Sequence, residues 1–238
     1  MSDLALRFSN VRKSYGGTSA LDGVSLDVRP GECFGLVGEN GAGKTTLIKC
    51  ALDLAEIDAG FIEIFGAGHR APGARARLAF LPERFNPPFY LSGRDFLRYM
   101  LELHRTAYDE AATARALAGL DLSEGVLDRP ARTYSKGMTQ KLGLAACLLS
   151  RKELLILDEP TSGLDPRARA LFKQQLRGLR PAGHTVLLTS HVLADIEELC
   201  ERMAILHQGQ IRFAGAPGDL RRKFAVPGLE EAFLACVA

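Results

Sequence analysis

The sequence predicts an α/β protein built on a mainly parallel sheet, and three observations carry that expectation. Short apolar runs at Cys33 to Val37, Leu154 to Leu157 and Thr185 to Thr189 suit strands covered on both faces. Each run is followed by a glycine-rich or polar turn and then a helical pattern, at Thr45 to Leu52, Arg167 to Leu179 and Val192 to Cys200. From about Gly93 to Leu149 the 3.6-residue period prevails with no β-branched run to interrupt it, which predicts a helical insertion.

The remaining elements follow in order. Leu4 to Phe8, Val24 to Val28 and Phe61 to Phe65 alternate apolar and polar residues, the pattern of half-buried strands in an N-terminal antiparallel β subdomain. Near the end, Met203 to Leu206 and Ile211 to Phe213 flank His207-Gln208-Gly209-Gln210, where the glycine permits the positive φ of a tight hairpin turn.

With 47 % apolar and 24 % charged residues, the chain of 238 can bury a full core. Its 30 basic and 28 acidic side chains are interspersed, so it lacks the basic footprint of a nucleic-acid binder, and no nucleic-acid partner is expected. The longest apolar stretch near mid-chain, Leu142 to Leu149, falls far short of the ~18 residues that a membrane span needs. Met1 to Asn10 lack the basic start and apolar run of a secretion signal, so a cytosolic location is expected. Five cysteines, Cys33, Cys50, Cys147, Cys200 and Cys236, form no C-x-x-C pair and read as small core residues.

Gly38-Glu39-Asn40-Gly41-Ala42-Gly43-Lys44-Thr45 matches the P-loop pattern, and it stands between an apolar strand and a helix, the context that pattern requires. Three glycines let backbone N–H groups turn inward, and these groups together with the helix N-terminus can bind phosphate oxygens. Lys44 adds a point charge for the β- and γ-phosphates. Thr45 offers Mg²⁺ a hydroxyl oxygen, and Thr46 follows at the level of the α-phosphate. ATP and Mg²⁺ are therefore the expected ligands.

Leu154-Leu155-Ile156-Leu157-Asp158-Glu159-Pro160 puts two carboxylates at the carboxyl end of an apolar strand, where open α/β sheets bind ligands. In P-loop NTPases the strand-end aspartate holds Mg²⁺, which gives Asp158 that role and frees Glu159 to orient an attacking water. The N-K-x-D motif of guanine readers is absent.

Tyr134-Ser135-Lys136-Gly137-Met138-Thr139-Gln140-Lys141 resembles the signature motif of ABC ATPases, usually written L-S-G-G-Q. Ser162-Gly163-Leu164-Asp165 is similar to the family's D-loop, Thr189-Ser190-His191 to its switch histidine, and Tyr15 to its adenine-stacking position. The resemblance runs from Leu4 to about Phe213. It implies a P-loop NTPase core of the RecA-like type over 1–82 and 150–215, a helical signature subdomain over 83–149 and a short helical tail over 216–238. It also implies a head-to-tail dimer with a second cassette, in which Ser135 and Gly137 of one chain complete the anion cage around ATP on the other. His191 then contacts the γ-phosphate, and catalysis falls to Glu159, His191 and Lys44. A separate transmembrane permease would hold the subunit at the inner face of the cell membrane.

Two positions depart from the family pattern. Leu81-Pro82-Glu83 stands where the family carries the glutamine of its Q-loop, and no glutamine occurs before Gln140, so Glu83 becomes a candidate Mg²⁺ ligand with an added negative charge. Lys136 and Met138 give the K-G-M signature variant of exporter-type members. After the Q-loop, Phe89, Tyr90 and Leu91 either form part of a groove for the permease or pack the core of the insertion. An ABC ATPase acting on a macromolecular complex is the alternative; the tandem cassettes or coiled-coil arms usual there are absent.

Overall fold

The computed structural model describes residues 4–238; Met1 to Asp3, part of the segment read above for a secretion signal, lie outside them. Strands β1 (Leu6–Tyr15) and β2 (Thr18–Val28) form a hairpin joined at Gly16-Gly17. Strand β3 (Cys33–Val37) leads into helix α1 (Lys44–Ala51). Next come β4 (Ala59–Ile64), β5 (Ala67–Gly68), the single turn α2 (Pro72–Arg75) and β6 (Leu78–Leu81). The insertion holds α3 (Gly93–Leu103), α4 (Glu110–Ala118) and α5 (Lys136–Leu149). The chain then runs through β7 (Leu154–Leu157), α6 (Pro166–Leu179), β8 (Thr185–Ser190), α7 (Leu193–Leu199), β9 (Arg202–His207) and β10 (Gln210–Gly215). It ends in α8 (Pro217–Phe224) and α9 (Leu229–Val237), which pack on each other, and α9 also packs on α7.

Two sheets result. The first has the order β2-β1-β4-β5 and is antiparallel; the second has the order β10-β9-β3-β8-β7-β6 and is parallel except for the β9–β10 edge. Alternation along the parallel strands divides the interior in two. Phe34, Leu36, Ile156 and Leu187 face the antiparallel sheet and α1, while Val37, Leu155, Leu157 and Leu188 face the cluster shared by the insertion helices, α6 and α7. This two-faced burial is why β3, β7 and β8 read as continuous apolar runs.

The expected strands Leu4 to Phe8 and Val24 to Val28 prove to be the inner ends of longer ones. Their outer parts are polar and are held by cross-strand pairs such as Arg12 with Asp22, which hydropathy alternation does not register. In the insertion, Ser92, Asp109 and Ser135 cap α3, α4 and α5 by accepting the N–H of Asp95, Ala112 and Met138. Asp165 does the same for α6 with Ala168. All five cysteines are free thiols, four of them buried, and Cys33 and Cys200 meet with their sulfurs 3.7 Å apart. Among the described residues no helix is long and apolar enough to cross a membrane.

The β9–β10 turn reaches back to the loop before α1. Gly209 donates its N–H to Ala42 O at 3.0 Å, and its carbonyl accepts the N–H of Asp22 at 2.8 Å. Gly209 has φ +75°, and a Cβ there would stand 2.9 Å from Ala20 O. Gly178, within α6, has open space around it. Thermal unfolding should therefore separate the two sites. Gly178→Ala is expected to stabilise by about 0.5–1 kcal/mol, and Gly209→Ala to destabilise by about 1–3 kcal/mol. At ~2–4 °C per kcal/mol for a chain of this size, the melting temperatures move in opposite directions.

Candidate functional site

β3 delivers Gly38, and the loop closes at Gly43, the N-cap of α1. Gly43 has φ +110° and approaches Ala20 O so closely that a Cβ would lie 2.6 Å from it, so no other residue fits. A glycine N-cap brings no side-chain acceptor to the first N–H groups of α1, which are left for a ligand. They open on a cavity of about 540 Å³. Glu39, Asn40, Gly41, Gly43, Lys44, Thr45 and Thr46 line it on the loop side, and Asp158, Glu159, Ser162 and His191 on the side of the strand ends. Glu83 and Ala20 complete the wall.

The polar contacts are specific. Lys44 is buried, and its ammonium group donates to Gly38 O at 2.6 Å and Glu39 O at 3.2 Å. Burial lowers its pKa, and the carboxylates of Glu159, Asp158 and Glu83 oppose that shift. Thr45 Oγ1 donates to Asp158 Oδ2 at 3.1 Å, and Thr189 Oγ1 donates to Asp158 Oδ1 at 2.6 Å. Glu159 adopts φ +49°, a left-handed conformation that costs a non-glycine residue about 1–2 kcal/mol. Its N–H donates to Thr189 Oγ1 at 2.8 Å, and its Oε2 stands 2.8 Å from His191 Nδ1. A carboxylate accepts, so in this contact Nδ1 of the imidazole is the donor.

Of the residues expected at a nucleotide, Gly38 and Ala42 do not line the cavity. Gly38 backs onto Leu206 O, and Ala42 is buried among apolar side chains. Tyr15 ends β1, half exposed, with Lys13 Nζ 5.2 Å from its ring centroid. Ser135 and Gly137 also lie outside it. Instead the start of α5 sits against the loop after β7 in its own chain: a Cβ on Gly137 would be 3.1 Å from Gly163 O, and Gln140 Nε2 donates to Pro160 O at 3.3 Å.

Two lining residues escaped the sequence reading of the site. Ala20 belongs to the antiparallel sheet and carries no chemical signal, and Ser162 drew attention only as part of the D-loop-like motif. Thr189 was noted in a motif, whereas its double contact with Asp158 and Glu159 could not be read from it.

The arrangement suits a triphosphate with a hard divalent cation. Free helical N–H groups and a lysine meet the anion, while Asp158 Oδ2 and Thr45 Oγ1 supply hard oxygens side by side. Among the described residues no cluster of three or more His, Cys, Asp or Glu forms a protein-only metal cage. Mg²⁺ needs none, because it takes one or two protein oxygens plus phosphate and water.

Fold and cradle together place the chain among the P-loop nucleotide-binding proteins. Comparison narrows the class: residues 21–162 match the family described as ABC transporter. The Nod factor export ATP-binding protein I of Paraburkholderia xenovorans (strain LB400) is 39 % identical over 223 residues, covering 92 % of this chain and 73 % of that protein. A solved ATP-binding subunit of an ABC transporter superposes with a TM-score of 0.89 at 30 % identity, covering 98 % of this chain and 99 % of the other. An ATP-binding cassette solved as a dimer in a post-hydrolysis state with ADP and Pi shares the fold, with a TM-score of 0.81 at 22 % identity over 89 % of this chain and 98 % of that one. The chain belongs to the ABC transporter family.

A phosphate bound in this cavity would take one charge-assisted hydrogen bond from Lys44, worth about 1.5–3 kcal/mol. Lys44→Ala should therefore bind a fluorescent ATP analogue roughly 10- to 150-fold more weakly, with an unchanged circular dichroism spectrum.

Proposed function

We propose that this chain is the ATP-binding and hydrolysing subunit of an ABC exporter and drives a separate transmembrane subunit. The observation that carries the reading is the single cavity on which Lys44, Thr45, Asp158, Glu159 and His191 converge. Export is supported by the relatives named for Nod factor export and by the Lys136-Gly137-Met138 signature.

In this reading the α1 N-terminus, Lys44 and Thr46 hold the phosphates, and Thr45 and Asp158 hold Mg²⁺, with Glu83 as a further oxygen at the cavity wall. Held by these oxygens, the cation would supply charge neutralisation to the phosphates. Glu159 orients the attacking water and accepts its proton, and His191, bonded to Glu159 Oε2, contacts the γ-phosphate. Tyr15 stacks on the adenine. Because Ser135 and Gly137 stand outside the cavity of their own chain, they serve the cavity of a second copy, and ATP is enclosed only in a head-to-tail homodimer. Residues 83–149 act as the unit that presents the signature.

Phe89 and Tyr90 are 67 % and 68 % exposed and meet edge to face at 5.5 Å, whereas Phe85 and Leu91 pack into the core of the insertion. The exposed pair is the docking point for the transmembrane subunit, which keeps this chain on the cytoplasmic side of the membrane. Exposed aromatics of this kind anchor interfaces.

Loss of a positioned general base lowers turnover by about 10²–10⁴-fold, so Glu159→Gln should hydrolyse ATP that much more slowly while still binding it. In size-exclusion chromatography with ATP and Mg²⁺ the same variant should elute as a dimer. Wild-type turnover in Glu159→Gln would remove the mechanism. Tyr90→Ala should leave the ATPase rate of the isolated subunit intact yet lose co-purification with its membrane partner; undiminished co-purification would return Tyr90 to a packing role.

A further inference from the structure

We infer that Thr189 is a positioning residue of the hydrolytic centre, fixing both the Asp158 carboxylate and the backbone of Glu159 through one hydroxyl group. The inference rests on the reading of Asp158 and Glu159 given above and adds a residue that does not line the cavity.

The side chain is fully buried in β8, next to β7, where Leu188 pairs with Leu157. A threonine hydroxyl has one proton and two lone pairs. Here the proton goes to Asp158 Oδ1 at 2.6 Å and a lone pair takes the Glu159 N–H at 2.8 Å. Because the proton is committed to the carboxylate, the hydroxyl cannot rotate without breaking both contacts. Asp158 is thereby held from two sides, by Thr189 on Oδ1 and by Thr45 on Oδ2, which fixes the carboxylate plane at the head of α1.

The second contact acts on Glu159. Its left-handed φ of +49° turns the chain sharply after β7 and sends the side chain to His191 Nδ1. The N–H freed by that turn has no partner in a regular sheet ladder, and Thr189 supplies one. The next residue continues the same device. Ser190 Oγ accepts the N–H of Val192 at 2.9 Å and shapes the turn that carries His191. Thus the end of β8 sets the position of both members of the Glu159–His191 pair.

Valine keeps the shape of threonine but removes donor and acceptor together, leaving Asp158 Oδ1 and the Glu159 N–H without that partner. A group displaced from its productive geometry loses turnover more than binding, since only the transition state requires that geometry. In steady-state assays of the full chain, Thr189→Val should lower kcat by about 10- to 100-fold while KM for ATP stays within about threefold. Thr189→Ser retains the hydroxyl and should restore most of the lost rate.

Wild-type kcat in Thr189→Val would overturn the inference. So would an equal loss in the serine and valine variants, because that would trace the effect to the missing methyl packing. Melting temperature and ATP-analogue binding report whether the valine variant is folded; if it is not, Thr189→Ala is judged by the same kcat criterion against serine. Glu159→Gln separates the two levels of argument. Full activity there removes the reading of the centre itself, whereas an inactive Glu159→Gln beside a fully active Thr189→Val removes only the role of Thr189.

Discussion

Two carboxylates close a strand that is buried on both faces, and the rest of the site is arranged around that constraint. Ionised groups at such a depth cost several kcal/mol unless each is partnered. Asp158 and Glu159 find partners in three separate places: Thr45 at the start of α1, Thr189 at the end of β8, and His191 in the turn that follows. Satisfying the carboxylates therefore fixes the phosphate loop, the central strands and the histidine turn relative to one another. Gly35 permits the same closeness one layer below. A Cβ there would stand 2.8 Å from Ile196, so its absence lets α7 lie directly on β3.

A second consequence concerns charge. The cavity gathers Glu83, Asp158 and Glu159 around one buried lysine, whose ammonium meanwhile rests on the loop's own carbonyls. With Glu39 on the loop side, four acidic side chains line the cavity, a wall that favours a hard cation. Glu83 raises that demand, since a glutamine at the same place would bring an amide and no charge. The helix α5, by contrast, turns its capped end toward the loop after β7, where Gln140 holds Pro160 O. The signature segment and the strand end of one chain are thus in direct contact, although only the latter opens on that chain's cavity.

The parts that were legible in the sequence are those in which chemistry and pattern coincide. Strand β3 and strand β7 appear with the bounds read from their apolar runs, because burial on both faces leaves no polar residue to blur them. The phosphate loop was legible because few other uses exist for glycine, lysine and threonine at that spacing. The polar outer halves of β1 and β2 were not legible, since cross-strand ion pairs rather than apolar alternation hold them. Edge strand β6 escaped for a different reason: four residues before a proline are too few to show a period. At the site, the left-handed turn of Glu159 had no signature, because its cause is a hydroxyl thirty positions away. The exposed pair Phe89 and Tyr90 could be named from the sequence, yet only packing distinguishes it from the half-buried Phe85 and Leu91.

The position of β3 bears on how the chain is made. It pairs with β8 and β9 and with no earlier strand, and the turn that braces Ala42 lies at Gly209. A ribosome working from the first residue thus releases the phosphate loop long before the sheet that shapes it exists. The contacts that bring β3 home span some 150 positions, a separation that slows folding. Competence to grip a nucleotide therefore waits on β8, β9 and the turn at Gly209.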